Sequence, residues 1–217
     1  MVERVRVKIC GVIDPGNARQ AVDLGADYLG LNFYPPSPRF VEVERAREIA
    51  GAVRGRVPLV GVFVNRPRAE IEEIVERVGL DLIQLSGDET PADLAPFADR
   101  AIKVFRSGME PGALAPFENA WGWLFDAPHR TLYGGTGEAW DYRAVAGIAK
   151  KGETGRRVFL AGGIGPDNVR RAAEALRPHA VDICSRVESA PGIKDIELLE
   201  RLFEEVRNVQ SSSTDPS

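Results

Sequence analysis

Short runs rich in Val, Ile and Leu, each closed by Gly, Asn, Asp or Ser, alternate along this chain with longer stretches of helical periodicity, and they do so eight times. That alternation is the pattern of repeated βα units. It predicts strands at Val5–Cys10, Tyr28–Phe33, Val57–Asn65, Leu82–Ser86, Ala101–Phe105, Trp121–Asp126, Val158–Gly162 and Ala180–Ser185. Between them, "VERAREIAGAV", "PRAEIEEIVERV" and "GPDNVRRAAEAL" carry apolar residues three and four apart with charge on the other face, as surface helices do. Pro67 after Asn65, and Pro166 with Asp167 after Gly165, mark two helix starts. The last helix, "IELLERLFEEVRNV", puts Ile196, Leu199, Phe203 and Val206 on one face. The segments after strands four and five are weakly patterned. Eight units in 217 residues predict a single (βα)8 TIM barrel over residues 1–209, near the lower size limit of that fold. The competing open doubly wound sheet usually carries a Gly-rich fingerprint after strand one, and "CGVIDPG" is not G-x-G-x-x-G.

Composition narrows the partners. The chain has 28 Lys+Arg against 32 Asp+Glu, net −4, with both signs spread along its length, which argues against nucleic acid or an anionic membrane surface as a partner. The start, "MVERVRVKIC", has no apolar leader, and no apolar run reaches the roughly 20 residues of a membrane span, so a cytoplasmic location is expected. Cys10 and Cys184 are too few for a disulfide framework and make no CxxC metal pair, which predicts free thiols and no metal site. The stretch "QSSSTDPS", residues 210–217, lacks apolar residues and reads as a disordered tail. Monomer and homodimer both remain open.

Strand alternation says which residues look into the barrel. Val5, Val7 and Ile9 face the helices, leaving Lys8 and Cys10 inward; Trp121, Trp123 and Phe125 face the helices, leaving Gly122, Leu124 and Asp126 inward; Val181 and Ile183 leave Asp182 and Cys184 inward. The same count turns Asn32, Asn65, Gln84 and Lys103 toward the interior or its rim. Barrel interiors are ordinarily filled by branched apolar residues, so this polar set needs a reason. Lys8, Lys103 and Asp182 fit either a site or a buried ion network that only holds the barrel. Cys10 and Asp126 stand at carboxyl ends, where such barrels build their sites.

Strand seven runs into "LAGGIGPDN", where Gly162 and Gly163 let a ligand reach backbone N–H groups and a helix start at Pro166 would add a positive dipole end. Strand eight ends in "CSRVESAPG", where Ser185 offers a hydroxyl. Loops after strands seven and eight are frequent phosphate sites, which implies a phosphorylated small molecule.

Taken in order, "KICG" at strand one, "SPRF" after strand two, "VGVFVN", "QLSGDE", "FDA", "GGTGEAWDY", "LAGGI" and "VESAPGIKD" resemble the phosphoribosylanthranilate isomerase family over nearly the whole chain except the tail. The resemblance implies a cofactor-free Amadori rearrangement of a phosphoribosyl substrate in tryptophan biosynthesis. It carries the general base onto Cys10, the general acid onto Asp126 and the contact to the anthranilate carboxylate onto Arg39. The chemistry suits those residue types. Asp126 would protonate the ribose ring oxygen if a pocket poor in polar groups raised its pKa from about 3.9. Cys10 would take the C2′ proton as a thiolate if a cation, Lys8 or Lys103, lowered its pKa from about 8.5. Two residues depart from the family pattern: Ser86 where His is usual and Arg186 where Gly is usual. Arg186 would then clamp the phosphate with its guanidinium. The alternative it raises is a silent phosphosugar-binding barrel. The related histidine-pathway isomerase uses an Asp base at the end of strand one, and Cys10 counts against it.

Overall fold

The computed structural model describes residues 4–106, 111–126 and 157–212. Its strands are β1 (Arg6–Cys10), β2 (Tyr28–Asn32), β3 (Leu59–Phe63), β4 (Leu82–Leu85), β5 (Ala101–Arg106), β6 (Gly122–Asp126), β7 (Arg157–Ala161) and β8 (Ala180–Ile183). They pair in chain order, all parallel, and β8 closes on β1 with Lys8 opposite Asp182. A doubly wound sheet has two free edges, whereas this one has none, so the (βα)8 barrel is the fold.

Around the barrel lie α1 (Pro15–Leu24), α2 (Val43–Val53), α3 (Arg68–Val78), α4 (Pro91–Leu94), α5 (Val169–Leu176) and α6 (Ile196–Ser212). Helix α1 starts where the Asp14 carboxylate accepts from the Asn17 amide with Pro15 in the first turn, and it stops at Gly25, whose φ of 116° suits glycine. Weak patterning after strands four and five has a simple cause: β4 is followed by a single turn, α4, and β5 by the 3₁₀ segment Pro111–Phe117. Among the described residues no helix is long and apolar enough to cross a membrane. The loop carrying "GGTGEAWDY" lies outside the described residues. Helix α6 runs to Ser212, past the expected end of the ordered domain, and residues 213–217 lie outside the described residues.

Alternation holds within strands and fails beyond them. Val7 and Ile9 pack toward the helices, and Tyr28, Val60, Leu82, Ile102, Leu124, Phe159 and Ala180 fill the barrel. Trp121, expected against the helices, packs instead with this interior set, 6.1 Å from Phe159 between ring centroids. It precedes β6, so strand parity does not bind it. Lys103, expected inward, alternates with Ile102 and Val104 and faces out, where its ammonium meets Glu89 at 2.7 Å and the Gly87 carbonyl at 2.9 Å. Asn65 lies two residues past β3 with φ 49°; its amide donates to Glu89 and its side-chain oxygen accepts from Asp88, on the outer rim. Helix α5 begins at Val169 rather than Pro166, and Pro166–Asn168 form a turn ahead of it. On α6 the buried face is Leu199, Leu202, Phe203 and Val206, while Ile196 is exposed at the first turn.

Candidate active site

A cavity of about 420 Å³ opens at the carboxyl ends of the strands, and every strand or the loop behind it lines it. Cys10, Arg39, Asp126, Gly162, Gly163, Ser185 and Arg186, scattered over most of the chain, all line this one cavity. Asn32, Gln84 and Asp182 join them, as alternation predicts. A larger groove of about 750 Å³ lies at the other end, by the amino ends of β3 and β4. Its charged residues Glu44, Arg47 and Arg77 are exposed and paired with one another, which is what solvated helix ends do.

The floor of the upper cavity is an ionic cluster. Lys8 is 0% exposed and donates to Asp182 at 2.8 Å. Burial alone would lower the Lys8 pKa, but the neighbouring charges of Asp182 and Cys10 outweigh it and keep the ammonium charged. The Cys10 thiol is held well below its ordinary pKa: the Cys184 thiol hydrogen-bonds to it, and Lys8 and Lys194 attract the thiolate, against the opposing effect of burial. Cys184 is pushed up, since ionising it would lose that hydrogen bond and set a second anion beside the first. Burial pushes the Asp182 carboxyl up to about 7, with repulsion from the nearby Cys10 and Asp126 charges adding to it against the pull of Lys8. Lys8 is thus the cation the sequence calls for; Lys103 is turned away. Gly30 on β2 makes the arrangement possible: a Cβ there would sit 2.7 Å from the Cys10 sulfur and 3.2 Å from Lys8 Nζ.

Arg39 reaches the same end of the barrel from the loop after β2. Its Nε and Nη2 grip Glu188 at 2.6–3.1 Å, in a two-pronged pair. Glu188 belongs to a short hairpin, β9 (Glu188–Ala190) and β10 (Ile193–Lys194), and also accepts from buried Lys194 at 2.7 Å. Lys194 in turn donates to the carbonyls of Cys10 at 2.6 Å and Cys184 at 3.3 Å, tying the hairpin to the ends of β1 and β8. Asp126 is exposed at the end of β6 and lines the same cavity.

At the opposite side Gly162 and Gly163 have φ of 95° and 62°, backbone that favours glycine and turns the loop tightly behind β7. Asn168 holds that loop, accepting from the Gly165 amide at 2.8 Å and donating to the Gly163 carbonyl at 3.1 Å. Arg186 lines the cavity, packs where a Cβ on Gly165 would lie, and donates through Nη2 to both oxygens of Asp167 at 2.8 and 2.6 Å. Gln84 is 6% exposed, and its side-chain oxygen has no hydrogen-bond donor among the described residues while its amide serves Ser86 at 3.1 Å.

Residues 7–205 match the model of the N-(5′-phosphoribosyl)anthranilate (PRA) isomerase family. The chain belongs to the phosphoribosylanthranilate isomerase family. Its relatives include the isomerase of Pseudomonas aeruginosa, 40% identical over 97% of this chain and 99% of that protein. Among solved structures, the Thermus thermophilus phosphoribosylanthranilate isomerase superposes with TM-score 0.80 at 38% identity, covering 94% of this chain and 100% of the other. A phosphoribosylanthranilate isomerase solved in complex with reduced 1-(o-carboxyphenylamino)-1-deoxyribulose 5-phosphate superposes with TM-score 0.82 at 32% identity, covering 94% and 99%.

In this member of the phosphoribosylanthranilate isomerase family, Ser86 lines the cavity and accepts from Gln84, and Arg186 stands at the end of β8 beside Asp167. Glu188, Lys194 and Gly30 shape the site without standing out in the sequence. The motif "VESAPGIKD" contains the first two, but nothing local says that the hairpin folds back onto β1. Gly30 alone carries a readable signal, a glycine inside a strand, which marks a close approach.

Proposed function

We propose that this chain isomerises N-(5-phosphoribosyl)anthranilate to 1-(2-carboxyphenylamino)-1-deoxyribulose 5-phosphate, with Cys10 as general base and Asp126 as general acid. The observation that carries the reading is the placement of Cys10 and Lys8 on one inner face of β1, both against Gly30, with Cys10 lining the same cavity as Asp126 and its thiol held below its ordinary pKa. Asp126 gives a proton to the ribose ring oxygen as the C1′–O bond breaks, leaving an open-chain Schiff base. The Cys10 thiolate then removes the C2′ proton, and the resulting enolamine tautomerises to the amino ketone. No step asks for a cofactor.

In this reading the Gly162 and Gly163 loop, the Ser185 hydroxyl and the Arg186 guanidinium hold the phosphate, and Arg39 holds the anthranilate carboxylate. Glu188 occupies Nε and Nη2 of Arg39, which fixes the guanidinium plane and leaves Nη1 for a ligand. The unmatched oxygen of Gln84 suits a sugar hydroxyl. Purified protein given freshly generated substrate tests the proposal through loss of anthranilate-type fluorescence. Turnover supports it; binding of the reduced product analogue without turnover would instead make this a silent phosphosugar-binding barrel.

A further inference from the structure

The proposed reaction uses one sulfur, yet two face the cavity. Cys10 ends β1 and Cys184 follows the end of β8, its neighbour in the barrel. The parallel register pairs Lys8 with Asp182 and Ile9 with Ile183, so Cys10 and Cys184 come next, on the same inward face as the Lys8–Asp182 pair. Adjacent strands lie about 4.8 Å apart, inside the span of Cα separations, about 4.4–6.8 Å, that a disulfide bridges. One ammonium, Lys194 Nζ, binds both cysteine carbonyls and so pins the two backbone positions together. The Cys10 sulfur lies against Gly30 and the Cys184 sulfur against Gly11, where added Cβ atoms would come within 2.7 and 3.2 Å of them; the Cys184 thiol donates to Glu188 at 4.0 Å, and both cysteines line a cavity roomy enough for a small oxidant.

We propose that Cys10 and Cys184 form a reversible dithiol–disulfide couple that hydrogen peroxide oxidises. The Cys10 thiolate attacks the peroxide oxygen, the O–O bond breaks, and hydroxide leaves as water once protonated, giving a sulfenic acid on Cys10. Cys184, as it gives up its proton, attacks that sulfur; the S–S bond forms, the S–O bond breaks and a second water leaves. Two electrons pass from the sulfur pair to the peroxide, and a dithiol reductant returns them. The two cysteines differ in the way the sequence of steps requires: Cys10 sits beside Lys8 as the attacking thiolate, and Cys184 stays a thiol as its resolving partner. In the oxidised form the sulfur proposed as general base is covalently blocked, while Lys8, Asp182 and the Arg39–Glu188 pair need not move.

The test is the full-length protein treated with hydrogen peroxide and read by intact mass and peptide mapping, with turnover followed in parallel. Mass and mapping read the bond itself, so they answer whether or not Cys10 is the base in the proposed isomerisation. The expected product is a monomer two hydrogen masses lighter, with the Cys10 and Cys184 peptides linked and both thiols restored by dithiothreitol. Cys184→Ser should give no such species and should carry Cys10 on to sulfinic acid, which dithiothreitol does not reverse; Cys184→Ala serves equally if the serine variant folds poorly. Oxidised Cys10 with Cys184 still open to alkylation, or cysteines linked only between chains, would overturn the proposal.

Discussion

Replacing Lys8 with Met removes the one buried ammonium that the Cys10 thiolate and Asp182 share, while keeping a side chain of similar length on the inner face of β1. Without it Cys10 keeps the influence of Cys184, the largest that lowers its pKa, and the Lys194 charge, while burial opposes ionisation with less against it. A thiol fully back at the ordinary value of about 8.5 would be only about 3% thiolate at pH 7, so kcat/KM there should fall, by at most about 30-fold. A base works deprotonated, so the sign is fixed: the native protein, its Cys10 pKa lowered, has its acid limb well below the ordinary thiol range and a level profile above neutrality. In the variant that limb moves up, and activity recovers as pH rises past about 9. Removing one partner of a buried pair typically costs about 3–5 kcal/mol. Asp182 softens this loss, because burial has pushed its carboxyl up to about 7 and it can take a proton instead. A raised carboxyl pKa favours the fold at low pH and less so as pH rises through it, so the variant's thermal midpoint should drop more at alkaline than at acidic pH. A pH–rate profile of kcat/KM, with melting curves at each pH, decides the matter. A loss of the same size at every pH would refute the reasoning, since Lys8 would then act on packing and not on the thiolate.

Arg39→Ala should raise KM for the substrate with a smaller effect on kcat, because a carboxylate contact exists before and during reaction; an unchanged KM would take Arg39 out of the site. Asp167→Asn should strengthen competitive inhibition by inorganic phosphate by releasing Arg186 and removing a negative charge, and Arg186→Ala should weaken it; phosphate inhibition identical in both variants would end the clamp idea. Phe159→Ala should cost about 3–5 kcal/mol in urea unfolding, since Phe159 is 0% exposed and packs against Tyr28 and Trp121 inside the barrel. A loss under about 1 kcal/mol would mean the interior recloses around the space.

The barrel was legible because eight short apolar runs separated by helical periodicity leave few other folds, and strand parity put Cys10, Asp182, Cys184 and Asp126 on the inner face. Parity misled where a residue sat outside a regular strand or where the outer face was itself polar. Trp121 precedes β6, Asn65 follows β3, and Lys103 lies on the outer face opposite Glu89, a partner supplied by the loop after β4. Pro166 looked like a helix start because proline suits a first turn, yet the Asn168 side chain binds Gly165 and Gly163 and holds a turn there first. What no local pattern could reveal was the Glu188–Lys194 hairpin folding back onto Arg39 and the end of β1. That contact joins residues about 150–180 positions apart and exists only once the barrel has closed.

Turnover by Cys10→Ala and Asp126→Asn tests the two assignments most directly, each compared with the native protein on freshly generated substrate by loss of anthranilate-type fluorescence, and each checked for an unchanged fold by circular dichroism. General acid–base groups are typically worth about 10²–10⁴-fold, so each variant should lose at least about a hundredfold in kcat while still binding the reduced product analogue. A loss below about tenfold in a folded variant would contradict the assignment of that residue as the base or the acid.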